Sequence, residues 1–154
     1  MCPNITLRKI DDDNFFACVE LKHADERFVA SAVFTLADAY ASRHYMTTYA
    51  IYHLEEVVGL VMVRKKPAYH NRNYSLTEIF IADNHLRKGY GRQAMAAILH
   101  KLKYDNGFTE AKVCCDNENT VAQAFFQQCG FTIIGPSPWN PEDYTDMSIS
   151  LDNI

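Results

Sequence analysis

Apolar and polar positions along this chain group into short runs of two kinds, and the runs alternate. Residues 5–10 read as a first strand. Asp11, Asp12 and Asp13 follow, and any of them can cap a helix over residues 14–23 whose buried side would hold Phe15, Phe16 and Val19. A polar break at 25–27 precedes an Ala-rich second helix over 28–42, with Val29, Val33, Leu36 and Tyr40 on one side. Residues 48–52 and 57–64 are β-rich runs around the acidic tip Leu54-Glu55-Glu56, a predicted hairpin. Lys65, Lys66 and Pro67 end it, residues 68–73 form a polar loop, and 74–82 is the next strand.

The rest of the chain is organised around residues 79–102. Ile79, Phe80 and Ile81 are an apolar strand end that Asp83 and Asn84 break. Ala94, Ile98 and Leu102 then recur at i, i+4 and i+8, widened by Met95 and Leu99, which predicts a helix with one buried face. Asn106 and Gly107 stop that helix. A strand over 111–115 follows, then turn and cap residues Asp116, Asn117 and Asn119, then a helix over 120–129 stopped by Gly130. Residues 131–134 and 147–151 form a last strand pair, joined by a Pro-rich connection (136–141) that holds the only Trp, Trp139. No linker, repeat or low-complexity stretch divides the chain, so one α/β domain over residues 1–154 with a mixed sheet is predicted.

Composition narrows the class. Hydrophobic residues at 48% and charged residues at 22% fit a globular domain with a full core. No apolar run approaches the ~20 residues a membrane helix needs, and the first ten residues lack the apolar core of a signal peptide. Five cysteines, an odd number without zinc-like spacing, predict a cytoplasmic chain with reduced thiols. The six histidines show no metal-ligand spacing, so no metal is expected. A net charge of -4 argues against a nucleic-acid footprint and is compatible with a cationic small substrate.

Between the strand end and the helix lies Leu86-Arg87-Lys88-Gly89-Tyr90-Gly91-Arg92. N–H groups in a helix's first turn have no internal partner, and the helix dipole places partial positive charge there. Glycines admit a phosphate close to the backbone, and Arg87, Lys88 and Arg92 add full charges. Two families use such a turn. Gly89-x-Gly91-x-x-Ala94 formally matches the dinucleotide-binding fingerprint, and Asp116 supplies a later acidic residue. In that fold the first glycine sits at the strand end, whereas six residues, Asp83 to Lys88, intervene here.

The other family is the GNAT acyltransferases, whose motif is Gln/Arg-x-x-Gly-x-Gly/Ala. The segment 86–91 resembles it, with Leu86 at the usual Gln/Arg place. Downstream, Asn119-x-x-Ala122-x-x-Phe125-Phe126-x-x-x-Gly130-Phe131 resembles that family's Asn-x-x-Ala-x-x-Leu-Tyr-x-x-x-Gly-Phe. Val19-Glu20-Leu21 through Phe28-Val29-Ala30-Ser31, Leu36 to Ala41, Tyr49 to Tyr52 and Val58-Gly59 look like the bacterial spermine/spermidine (polyamine) acetyltransferase branch. The strand before the motif departs from that branch, having Tyr74-Ser75-Leu76-Thr77-Glu78 where Trp is usual.

The resemblance implies a three-layer α/β (α+β) domain. Its central mixed, mostly antiparallel sheet of six to seven strands carries helices on both faces, and two strands splay to form an acyl-CoA cleft. Acetyl-CoA would be the co-substrate, with pantetheine against Ile79, Phe80 and Ile81, diphosphate on the N–H groups of Arg87 to Arg92, and Asn119, Ala122, Phe125 and Phe126 beside it. The acceptor would be a small primary amine, bound near Glu20, Asp25 and Glu26, with Glu78 as base. A homodimer is usual in the family. Phe126 stands where the family has the Tyr that protonates the leaving thiolate, so a non-catalytic acyl-CoA sensor is the competing reading.

Overall fold

The computed structural model describes residues 4–23, 27–67 and 74–154. The strands β2 (Met46–His53) and β3 (Glu56–Arg64) are apolar at nearly every position and buried along almost their whole length. A strand of that kind needs cover on both faces, and it has it. Tyr49, Ile51, Val61 and Val63 face a core completed by helix α3 (Tyr90–Tyr104), through Ala94, Met95, Ile98, Leu99 and Leu102. Ala50, Tyr52 and Leu60, the alternate positions, face a second core with Cys18 of α1 (Phe15–Val19) and Ala32 of α2 (Ala32–Ala41).

β1 (Ile5–Lys9), β2, β3 and β4 (Leu76–Ile81) form one antiparallel sheet in that order. β5 (Glu110–Asp116), β7 (Tyr144–Ser150) and β6 (Thr132–Pro136) form a second, with β7 central. Helix α4 (Thr120–Gln128) connects β5 to β6 and sends Phe126 into the first core. Asn106, just past α3, donates to the Arg64 carbonyl beside the start of β4, so α3 runs back along β4 and β5 then runs parallel to it. The architecture is the predicted three-layer one, mixed and mostly antiparallel. A dinucleotide fold is excluded, because β4 pairs antiparallel with β3 and a 3₁₀ turn (Asp83–His85) fills the gap before the glycines.

The N-terminal helices correct the periodicity reading. α1 has five residues, not ten, and leaves Phe15 at 43% and Phe16 at 74% exposure while burying Cys18. The aspartates do not cap it by themselves; Asn14 is the cap residue, and the Asp11 carboxylate accepts from the N–H groups of Asp13 and Asn14. α2 starts four residues later than predicted and turns Ala32, Thr35 and Leu36 inward, leaving Val33 and Tyr40 exposed. The sequence of α2 is apolar almost all round, so periodicity names no unique face; packing against Ala50 and Leu60 selects the side with the smaller residues.

Candidate active site

Between the two sheets the structure opens. The Ser75 N–H donates to the Lys112 carbonyl at 2.8 Å, and the Lys112 N–H to Ser75 Oγ at 2.9 Å. Beyond this point β4 and β5 share no ladder and diverge. Hydrogen-bonded and non-bonded pairs alternate along an antiparallel ladder. Because the Ala82 N–H donates to the Val58 carbonyl, Ile81, opposite Gly59, turns its own N–H and C=O to the far edge, into the splay. On β5 the backbone of Lys112 faces β4, so that of Cys114, two residues on, does too. The splay is therefore walled by two open backbone edges.

The closed end is locked by a buried polar cluster. The Tyr74 hydroxyl donates to Asp146 Oδ1 at 2.7 Å and lies 2.8 Å from Ser137 Oγ, while Trp139 Nε1 donates to Tyr74 at 3.1 Å and Lys112 Nζ sits 3.4 Å from Asp146 Oδ2. Burial pushes the Tyr74 phenol well above its ordinary pKa, so it stays protonated and structural.

At the other end is the glycine turn. Arg87 and Gly89 both have left-handed backbone, with φ of 62° and 80°. Gly89 is the cap residue of α3 and no side chain caps that helix. The N–H groups of Gly89, Tyr90, Gly91 and Arg92 therefore have no intrahelical partner. Leu86, Arg87, Lys88 and Arg92 are exposed around them. Tyr90 is held by His53, its hydroxyl 3.0 Å from Nδ1 and the rings stacked at 4.5 Å. A Cβ on Gly91 would stand 3.2 Å from the Phe125 ring and 4.0 Å from Ile81, so the turn, β4 and α4 converge on this glycine. Asn119 caps α4 by accepting from the Ala122 N–H at 3.1 Å. Phe126 is 6% exposed, edge-on to Phe125 and Phe131.

Midway along β4 is a β-bulge. Leu60 pairs with Phe80 and Met62 with Thr77, so Glu78 and Ile79 together oppose Val61. Glu78 sits in the bulge with φ of 48°, a left-handed conformation that costs a side-chain-bearing residue about 1–2 kcal/mol. Its Oε2 accepts from the Ala30 N–H at 3.4 Å. Burial pushes the Glu78 carboxyl above its ordinary pKa; the Ala30 N–H pulls it back, nearby Asp38 pushes it up further, and His23 pulls it down. His23 donates from Nε2 to the Ala30 carbonyl at 2.8 Å and lies against the Phe80 ring at 4.5 Å.

Of the predicted acceptor acids, only Glu20 lies among the described residues. Glu20 is exposed in a separate groove of about 1090 Å³ with Asp13, Glu55, Glu56 and Asp83. Asp25 and Glu26 lie outside the described residues. The groups facing Glu78 are His23, Ala30 and Asp38 instead, which periodicity did not single out. An exposed ion pair joins Arg27, before α2, to Glu118, before α4. Among the described residues no group of His, Cys, Asp and Glu is placed to hold a metal, and no helix is long and apolar enough to cross a membrane.

An antiparallel sheet that splays beside an uncapped glycine turn defines a class of acyl-transfer enzyme. The chain belongs to the Acetyltransferase (GNAT) family, whose model matches residues 6–131. Its chemistry is acyl transfer. No curated protein matches it significantly. Among solved structures it is similar to spermidine N-acetyltransferase from Vibrio cholerae in complex with CoA and spermine, at TM-score 0.70 and 17% identity over 97% of both chains. It is also similar to the Salmonella typhimurium acetyl transferase that modifies the N-terminal serine of 50S ribosomal subunit protein L7/L12, at TM-score 0.73 and 15% identity over 96% of this chain and 95% of that one.

Proposed function

We propose that the protein transfers the acetyl group of acetyl-CoA directly to the primary amine of a small, cationic, polyamine-like acceptor in the cytoplasm. The observation that carries this reading is the open edge of Ile81 in the splay, aligned with the uncapped start of α3. An extended pantetheine arm adds to that edge as a strand would, and its diphosphate meets the free N–H groups of residues 89–92. The carboxamide oxygen of Asn119 is taken by its cap, so its NH₂ end is the one offered to pantetheine. Glu78 is the carboxylate beside the reacting strand, and its raised pKa suits a group that accepts a proton. The Vibrio cholerae neighbour's CoA and spermine support a polyamine-like acceptor here, as does the net charge of -4. Free Cys18, Cys114, Cys115 and Cys129 agree with a reducing compartment. Family resemblance adds a homodimer to the proposal.

The acceptor ammonium loses one proton to Glu78, and the freed nitrogen pair attacks the thioester carbon. The Ile81 N–H, turned into the splay, steadies the developing oxyanion. The C–S bond breaks as the carbonyl reforms, and the second nitrogen proton ends on sulfur as the CoA thiol. Following thiol release across a panel of mono-, di- and polyamines tests the reading: release with a cationic amine is expected, and none with any amine overturns it.

Phe126, without a hydroxyl and packed between Phe125 and Phe131, favours the sensor as second reading. A thiolate, from a thiol with pKa near 8.5, leaves tolerably without acid help, so slow turnover is expected rather than none. Phe126→Tyr should leave CoA affinity within about twofold and raise kcat, since acid assistance contributes ~10²–10⁴-fold where it is missing. Steady-state thiol release measures this, and a fall below wild type means the pocket is built for the bare ring.

Replacing Arg87, Lys88 and Arg92 together by Ala should weaken CoA binding about tenfold at low salt, and the gap should close as salt rises, because these charges are exposed and screened. Calorimetric titration with CoA and with pantetheine checks it: pantetheine, which has no diphosphate, should bind both proteins alike.

A further inference from the structure

The reading of Glu78 as base leaves a question of where the proton goes, and His23 supplies an answer. Its Nε2 lies 2.8 Å from the Ala30 carbonyl. A carbonyl only accepts, so Nε2 carries the hydrogen, and in the neutral ring Nδ1 is the lone-pair acceptor. That Nδ1 is buried and has no hydrogen-bond partner. An unmet polar atom in the interior costs free energy, and the residue that holds Nε2 of this ring, Ala30, also holds Glu78. The Ala30 N–H donates to Glu78 and the Ala30 carbonyl accepts from His23, so one peptide residue clamps both side chains. The ring rests on Phe80, two residues along β4 from Glu78, on the sheet face that α1 and α2 cover. Among the described residues, the groups facing Glu78 from the packed elements are His23 after α1, Ala30 before α2 and Asp38 on α2.

We propose that His23 is the proton acceptor behind Glu78: Glu78 takes the proton from the acceptor ammonium and passes it through one water to Nδ1 of His23. The N–H bond breaks with its electron pair left on the amine nitrogen, the proton forms a new bond at Nδ1, and the imidazolium later returns it to solvent. No oxidant or co-reactant is needed. The sequence alone hides this pairing, since His23 and Glu78 are 55 positions apart and meet through a loop residue.

This rests on the proposed acetyl transfer, and the test separates the two. His23→Gln keeps a side-chain N–H for the Ala30 carbonyl and removes the titratable lone pair. Thiol release is measured at pH 7 for wild type and variant with an alkyl diamine, protonated at that pH, and with an alkoxyamine, neutral at that pH. The variant should lose at least about tenfold in kcat with the diamine, in line with general-base contributions, and stay within about twofold with the alkoxyamine. Melting temperature and CoA affinity should match wild type. Equal loss with both acceptors makes His23 merely structural and overturns the inference, as does no loss with either. Wild-type protein that releases thiol with neither acceptor nor with the wider amine panel overturns the proposed function, and this inference with it.

Discussion

Gly91→Asp should abolish CoA binding, weakening it by at least about 100-fold, equivalent to ~2.7 kcal/mol, in protein that remains folded. Gly91 is the second residue of α3, inside the run of N–H groups that no side chain caps. Its missing Cβ leaves 3.2 Å to the Phe125 ring and 4.0 Å to Ile81. An Asp there sets a carboxylate in the field of the diphosphate, and like charges so placed cost several kcal/mol. It also presses its Cβ against Phe125. Gly91→Ala isolates the second effect, and a loss of under about tenfold is expected for it. The helical backbone at Gly91 accepts any residue, so both variants should melt near wild type. Gly89→Val acts differently. A Cβ at Gly89 would meet the Gln93 side chain at an ordinary 3.8 Å, but the φ of 80° resists a β-branched residue, so the turn itself deforms. Calorimetric titration with CoA decides these cases; wild-type affinity in folded Gly91→Asp protein places the cofactor elsewhere.

Glu78→Gln should lower kcat about 100-fold at pH 7 and at the same time make the fold more resistant to heat at alkaline pH. The carboxyl of Glu78 is pushed above its ordinary pKa chiefly by burial, so folding disfavours its charged form. An acid whose pKa is raised on folding contributes stability below its unfolded pKa, and that contribution fades as pH rises through the folded value. Gln keeps the acceptor for the Ala30 N–H and never ionises. The melting temperatures of wild type and Glu78→Gln should therefore coincide near pH 4 and separate, with the variant higher, by pH 8. The kinetic deficit should be greatest above the raised pKa of Glu78 and below that of the amine, where Glu78 is ionised and free amine is scarce. A variant no more stable than wild type at pH 8 contradicts the burial argument. An unchanged pH–rate profile removes Glu78 from the chemistry.

How far the chain was legible depended on the kind of signal. Each core position named for α3, from Ala94 to Leu102, is buried, because a single apolar stripe on a polar helix admits one orientation. The hairpin at Leu54 and the cap at Asn119 were legible because turn and cap chemistry is local. The exposed Phe15 and Phe16 were misread. α1 ends after one turn and a half, and a short helix with two adjacent aromatics does not choose its buried side by periodicity. α2 was turned by one residue for the related reason that its apolar residues surround it.

The site divides along the same line. The glycine turn was readable because glycine, cation and helix start are neighbours in the chain. The splay was not: it needs Ser75 and Lys112 to meet once and their strands then to part, a relation between residues far apart in sequence. The bulge at Glu78 was equally hidden, because an extra residue in a strand has meaning only against the register of its partner. By itself, then, the sequence determined the alternation of strands and helices, the buried stripe of α3 and the glycine turn with its cations at the start of that helix. Only the tertiary structure decided which edges stay open, which carboxylate the bulge presents, and that Ala30 joins His23 to Glu78. The physical reason is that local hydrogen bonding and periodicity act within a few residues, whereas an open edge or a shared peptide is made by elements that meet only when the chain is folded.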